Sequence, residues 1–91
     1  MEDITKKKVK EIRKILQKNR IDILILLYHK DTCVCQMVGK LNLKHNLISH
    51  HLKSLQDIGY ISSKRNGKHI IYSLNKSKKE IVKKLFDILN I

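Results

Sequence analysis

Helical spacing of apolar residues dominates the chain and is interrupted by a single extended stretch. Between residues 5 and 18, Val9, Ile12, Ile15 and Leu16 fall on one side of a helical repeat, and Lys6, Lys7, Lys8, Lys10 and Lys14 cover the other. Asn19 marks a break. Residues 20–30 are apolar almost throughout their middle, which suits a central buried helix. Asp31 or Thr32 can then cap a new helix, because a short oxygen side chain takes up an orphan backbone N–H. That helix runs to about Leu41, and Asn42 tolerates the left-handed turn that ends it. The next helix starts near His45, places Leu47, Ile48, Leu52, Leu55 and Ile58 on one side, and stops at Gly59.

From Tyr60 the pattern changes. Two extended runs, Tyr60 to Arg65 and Lys68 to Leu74, flank Asn66-Gly67, a strong hairpin signal when both turn residues take positive φ. Asn75 or Ser77 opens a last helix with Ile81, Val82, Leu85, Phe86, Ile88 and Leu89 as a broad apolar stripe. Two short helices separated by Asn42-Leu43-Lys44 and followed by a hairpin make a helix-turn-helix with a wing. The expected fold is therefore mainly α with a small β-hairpin, ordered α-α-α-α-β-β-α. Residues 1–91 form one domain, with the helix-turn-helix over 33–58 and the wing over 60–74.

Charge narrows the function. The 91 residues carry 20 Lys+Arg against 8 Asp+Glu, a formal net charge of +12. That excess calls for a polyanionic partner, nucleic acid ahead of an anionic membrane. Aromatics are only 4% of the chain, so the core must be Ile, Leu and Val, and so small a domain gains stability from a dimer interface. The longest apolar run, Ile23 to Tyr28, is far short of the roughly 18 residues a membrane span needs. The Lys-rich start is not followed by a secretory pattern, which points to the cytoplasm. In a reducing compartment two cysteines are metal-binding, redox-active or core residues sooner than a structural disulfide.

A DNA-reading helix must bury one face and offer short polar or basic side chains on the other. Asn46, Ser49, His50 and Lys53 share the face opposite the apolar one, and such side chains reach base edges or phosphates in the major groove. Lys44 and His45 stand at the helix N-terminus, where backbone N–H groups favour phosphate. Lys64, Arg65, Lys68 and His69 surround the hairpin tip and suit a flanking groove or backbone. His51 points back toward Leu47 and Leu55 and reads as a structural, hydrogen-bonding histidine. The competing classes are an RNA-binding module, disfavoured by the lack of stacking aromatics on a sheet, and a small thiol enzyme. The latter finds no Cys-x-x-Cys in a βαβ setting, no phosphate-cradling loop and no acid/base pair. No small-molecule substrate is indicated.

Cys33-Val34-Cys35 at a helix start, Leu41, the run Ile48-Ser49-His50-His51-Leu52-Lys53-Ser54-Leu55, Gly59-Tyr60-Ile61, Asn66-Gly67-Lys68 and Tyr72-Ser73-Leu74 together resemble the ArsR/SmtB family. These are prokaryotic winged-helix repressors that sense metals and metalloids. The resemblance covers residues 20–75 by motif and the flanking helices by order. It implies a homodimer built from the first and last helices, 1–18 and 76–91, through Val9, Ile12, Ile15, Leu16, Ile81, Leu85, Phe86, Ile88 and Leu89. It also implies that the apo dimer binds a palindromic double-stranded operator and that ligand binding releases it, with no cofactor required for DNA binding.

Cys33-Val34-Cys35 resembles the metal box of the family's arsenic-, antimony- and cadmium/lead-responsive members. The implied inducer is As(III), Sb(III), Cd(II) or Pb(II) on Cys33 and Cys35. Residues two apart on an ideal helix point roughly 200° away from each other, so the pair grips one ion only where the helix start is distorted. Similar arsenic-sensing boxes have a third thiol, one helical turn further on or from an N-terminal arm. Here residue 38 is Val38 and residues 1–8 hold no cysteine, so the third-donor candidates are Met37, His29 or the thiol of another molecule. Thiol oxidation or persulfide formation is a second possible signal, and a repressor without an inducer a third. The last helix has Glu80 and Asp87 but no histidine, against a zinc site there.

Overall fold

The computed structural model describes residues 2–91, with side chains from Lys6 onward. Helix α1 (Glu2–Ile15) and helix α2 (Lys18–His29) lead into a two-residue strand β1 (Thr32–Cys33), then α3 (Val34–Leu41) and α4 (His45–Asp57). Strands β2 (Ile61–Asn66) and β3 (His69–Leu74) form the wing, and a 3₁₀ turn (Lys76–Lys78) precedes α5 (Lys79–Leu89). The sheet is antiparallel with β3 in the middle, order β1-β3-β2. Among the described residues no helix is long and apolar enough to cross a membrane.

The winged helix-turn-helix expected from the pattern is present, and its core is largely aliphatic, though Met37, Tyr60 and Phe86 join the expected Ile and Leu with Val82. Ile15, Ile23, Leu24, Leu27, Met37, Ile48, Leu52, Leu55, Tyr60, Ile61, Leu74, Val82 and Phe86 form one buried cluster drawn from every helix and both wing strands. Such burial removes roughly 1.5–3 kcal/mol worth of apolar surface from water per large side chain, which lets so small a chain hold one recognition helix in place. Asn42 ends α3 in the left-handed region (φ 54°), as its residue type foretold. Gly59, φ 79°, ends α4 in the same manner.

Several boundaries differ from the sequence reading. The break between the first two helices falls at Leu16-Gln17 and not at Asn19, so Asn19 lies inside α2. Thr32 does not cap a helix. It pairs with Tyr72 in the β1–β3 ladder, and its hydroxyl donates to the Lys30 carbonyl at 2.8 Å. The extended β1 was missed because two residues carry no periodicity; only the partner strand defines them. The hairpin turn is centred on Gly67-Lys68, one residue later than expected. Asn66 still pairs with His69 in the ladder, and only Gly67 (φ 64°) needs the left-handed region. Asn75 opens the last helical segment as expected, at the N-cap of the 3₁₀ turn that leads into α5, but its side chain serves the loop and not the cap: its amide donates to the Gly59 carbonyl at 2.7 Å and its oxygen accepts from Ser62 at 2.6 Å.

Leu47 was expected in the core, yet it is 39% exposed, because the buried stripe of α4 centres on Ile48, His51, Leu52 and Leu55. Of the nine residues assigned to a dimer interface, Ile15 and Phe86 are taken up by the protomer's own core; Phe86 packs edge-on against Tyr28. Val9, Leu16, Ile81, Ile88 and Leu89 remain exposed, Ile12 and Leu85 half-buried.

Candidate nucleic-acid interface and thiol site

Helix α4 is anchored by its buried stripe and by one polar clamp. Arg20, only 6% exposed, reaches from α2 to three acceptors: Nε donates to Nδ1 of His51 (3.0 Å), one terminal nitrogen to the Lys14 carbonyl (2.8 Å) and the other to the Ser54 hydroxyl (3.2 Å). His51 is thus a structural histidine, as the sequence indicated. Its accepting Nδ1 places the proton on Nε2, which is buried without a partner. Burial first, then the Arg20 charge and His50, lower its pKa below the usual 6.5. The signal for Arg20 in the sequence is a lone arginine entering an apolar run, since arginine is rarely buried unless paired.

Of the residues assigned to DNA, all but Ser49 are exposed, and His45, Ser49, Lys68 and His69 line one cleft. His45, Asn46, His50 and Lys53 are exposed on α4, and Ser49 is half-buried, its hydroxyl 3.4 Å from Nδ1 of His45 one turn earlier. Lys44 occupies the N-cap without a side-chain cap hydrogen bond, so the first N–H groups of α4 keep their capacity for phosphate. Lys64, Arg65, Lys68 and His69 are all exposed on the wing. Among the described residues the only salt bridges are Lys18–Asp22, Lys78–Glu11 and Lys84–Glu80. The cationic side chains of α4 and the wing therefore carry their charge unneutralised.

The thiol pair lines the same cleft. Cys33 has an extended backbone (φ −90°, ψ 163°) as the residue before α3, and Cys35 is already helical. That change of conformation between them turns the two side chains toward each other. The expected 200° divergence does not apply, because Cys33 is not in the helix. The Cα atoms are 5.5 Å apart and the sulfurs are joined as a disulfide.

Neither Met37 nor His29 lines the cleft at the thiols. Met37 is fully buried in the core, and His29 is exposed at the end of α2 with its ring against Tyr28. His69 is there instead, with Nδ1 3.9 Å from Sγ of Cys35. The ligating atoms of Cys33, Cys35 and His69 lie within 4.8 Å of one another. Thiolate and imidazole donors at that spacing fit a soft or borderline cation once the cysteines are reduced. A cleft of about 270 Å³ opens beside them, lined also by His45 and Ser49 of α4 and by Lys68 of the wing.

Comparison with known proteins agrees with the architecture. The family model for bacterial regulatory proteins of the arsR family matches residues 17–63. Over 85 residues the chain is 31% identical to the arsenical resistance operon repressor of Staphylococcus xylosus, covering 92% of this chain and 82% of that protein. The chain belongs to the arsR family. It is a DNA-binding transcriptional regulator of the repressor type and not an enzyme. This ArsR-family chain is also 36% identical over 61 residues to the cadmium resistance regulatory protein CadC of Listeria innocua, 66% of this chain and 51% of that one. Its fold matches the winged helix-turn-helix DNA-binding domain of Mb0332 from Mycobacterium bovis, described as homodimeric, with a TM-score of 0.86 at 15% identity, covering 97% and 82% of the two chains.

Proposed function

We propose that this ArsR-family repressor works as a homodimer on a palindromic double-stranded operator, in the cytoplasm, and leaves it when a thiophilic metal or metalloid binds Cys33 and Cys35. The observation that carries the reading is the position of the thiol pair. It lies where β1 becomes α3, in the same cleft as His45 and Ser49 of the recognition helix. A change of bonding at the cysteines is therefore transmitted to both helices of the DNA-reading unit.

In this reading Asn46 and Ser49 read base edges. Lys44, His45 and Lys53 contact phosphates around them, His50 faces the DNA beside Ser49, and Lys64, Arg65, Lys68 and His69 hold the flanking phosphates. Dimer formation uses the helices of 1–18 and 76–91 through Val9, Leu16, Ile81, Ile88 and Leu89, the apolar side chains the protomer leaves exposed. Half-sites about one helical turn apart, roughly 34–36 Å, suit such a dimer.

The test is an operator-release titration of the reduced protein with Cd(II) and with arsenite, alongside a variant carrying both Cys33→Ser and Cys35→Ser. The parent is expected to release DNA and the variant to stay bound. Release of the variant at the same metal concentration would refute the site. The disulfide favours one second reading, in which oxidation of the pair is the signal. Release by a thiol oxidant with no response to either metal is its signature.

A further inference from the structure

We infer that His69 of the wing is the third ligand of a Cys₂His site for a d¹⁰ divalent cation such as Cd(II), and that filling this site fastens the wing to the foot of the helix-turn-helix. The inference rests on the reading of Cys33 and Cys35 as the inducer's ligands and adds its missing donor. The placement follows from strand register. Thr32 pairs with Tyr72 and Cys33 with Ile71; the same register run on by two residues sets position 35 opposite position 69. Side chains two apart on a strand share a face, so His69 and Ile71 of β3 both look toward the Cys33 side. The chain turns into α3 after Cys33, and Cys35 still comes within 3.9 Å of the His69 ring.

The donor set selects the ligand class. The chain has two cysteines in all, so trivalent arsenic cannot gain three thiolates from one protomer. Two thiolates and an imidazole are the donors that d¹⁰ divalent metals accept, with a fourth position open to solvent. Cys35 and His69 are exposed and Cys33 is buried, 7% exposed, so the site is open on one side.

Charge bookkeeping then says how such binding acts on DNA. A divalent cation that displaces two thiol protons leaves the net charge of the site unchanged. The effect on DNA therefore comes from position. His69 closes the hairpin opposite Asn66 and adjoins Lys68, and holding its ring at the cysteines holds the basic wing tip to the protein instead of the DNA.

The experiment uses the full chain, kept reduced, with Cd(II) alone as probe. Three readouts are taken: the ultraviolet cadmium–thiolate absorption, Cd(II) affinity by chelator competition, and operator affinity with and without Cd(II). His69→Ala is expected to keep the thiolate band, to bind Cd(II) about tenfold more weakly or worse, and to bring the ratio of the two operator affinities toward one. His69→Cys should restore tight Cd(II) binding and newly tighten arsenite, since it supplies the third thiolate. If His69→Ala matches the parent in Cd(II) affinity and in that ratio, His69 is not a ligand while the two-cysteine reading stands. If the parent itself shows no thiolate band, both fall.

Discussion

Arg20 supports the recognition helix in a way that can be measured. Its guanidinium is buried with no carboxylate partner among the described residues, compensated only by the Lys14 carbonyl, Nδ1 of His51 and the Ser54 hydroxyl. Arg20→Met keeps the apolar stem and removes the donors. Each hydrogen bond to a charged group contributes about 1.5–3 kcal/mol. Against the sum stands the relief from burying a charge, which is several kcal/mol. The orphaned His51 nitrogen then costs about 1–3 kcal/mol. The net expectation is a loss of about 2–3 kcal/mol, or roughly 10–20 °C in Tm for a domain of this size.

Acid should act through the same contact. His51 keeps its neutral form in the folded protein because burial and Arg20 lower its pKa, and protonation would set one N–H against another. The unfolded chain takes up that proton as pH falls through about 6.5, so it binds more protons than the folded chain there. Stability is thus whole above about pH 6.5 and declines as pH drops below it, until the lower folded pKa is passed. Urea melts of the parent, Arg20→Met and His51→Gln at pH 7.5 and 5.5, at one protein concentration, read both effects. Arg20→Met within about 0.5 kcal/mol of the parent at pH 7.5 would refute the clamp. An undiminished acid loss in His51→Gln would refute the assignment to His51.

Two further outcomes address the DNA face and the dimer. Lys53→Ala should weaken binding to all duplexes alike and flatten the salt dependence by about 1.8 in the log–log slope, since a dimer loses two phosphate contacts, whereas Ser49→Ala should reduce operator preference and leave the slope alone; fluorescence anisotropy at several salt concentrations separates them. Ile88 is 79% exposed on α5, so Ile88→Lys should leave the protomer folded and shift sedimentation to the monomer, and a variant that still sediments as a dimer would remove Ile88 from the interface.

The sequence by itself determined the order of helices and wing, a largely aliphatic core and the stop at Asn42. Each of these follows from local periodicity, capping chemistry or composition, and so is written in neighbouring residues. Only the tertiary structure decided what depends on residues far apart in the chain. β1 exists because β3 pairs with it, and that pairing straightens Cys33 and turns the two thiols together. Arg20 can be buried because α4, more than thirty residues later, presents His51 and Ser54. His69 looked like one more wing cation, yet the register of a two-residue strand sets it beside Cys35, whereas Met37, nearer in sequence, is drawn into the core by the apolar face of α3.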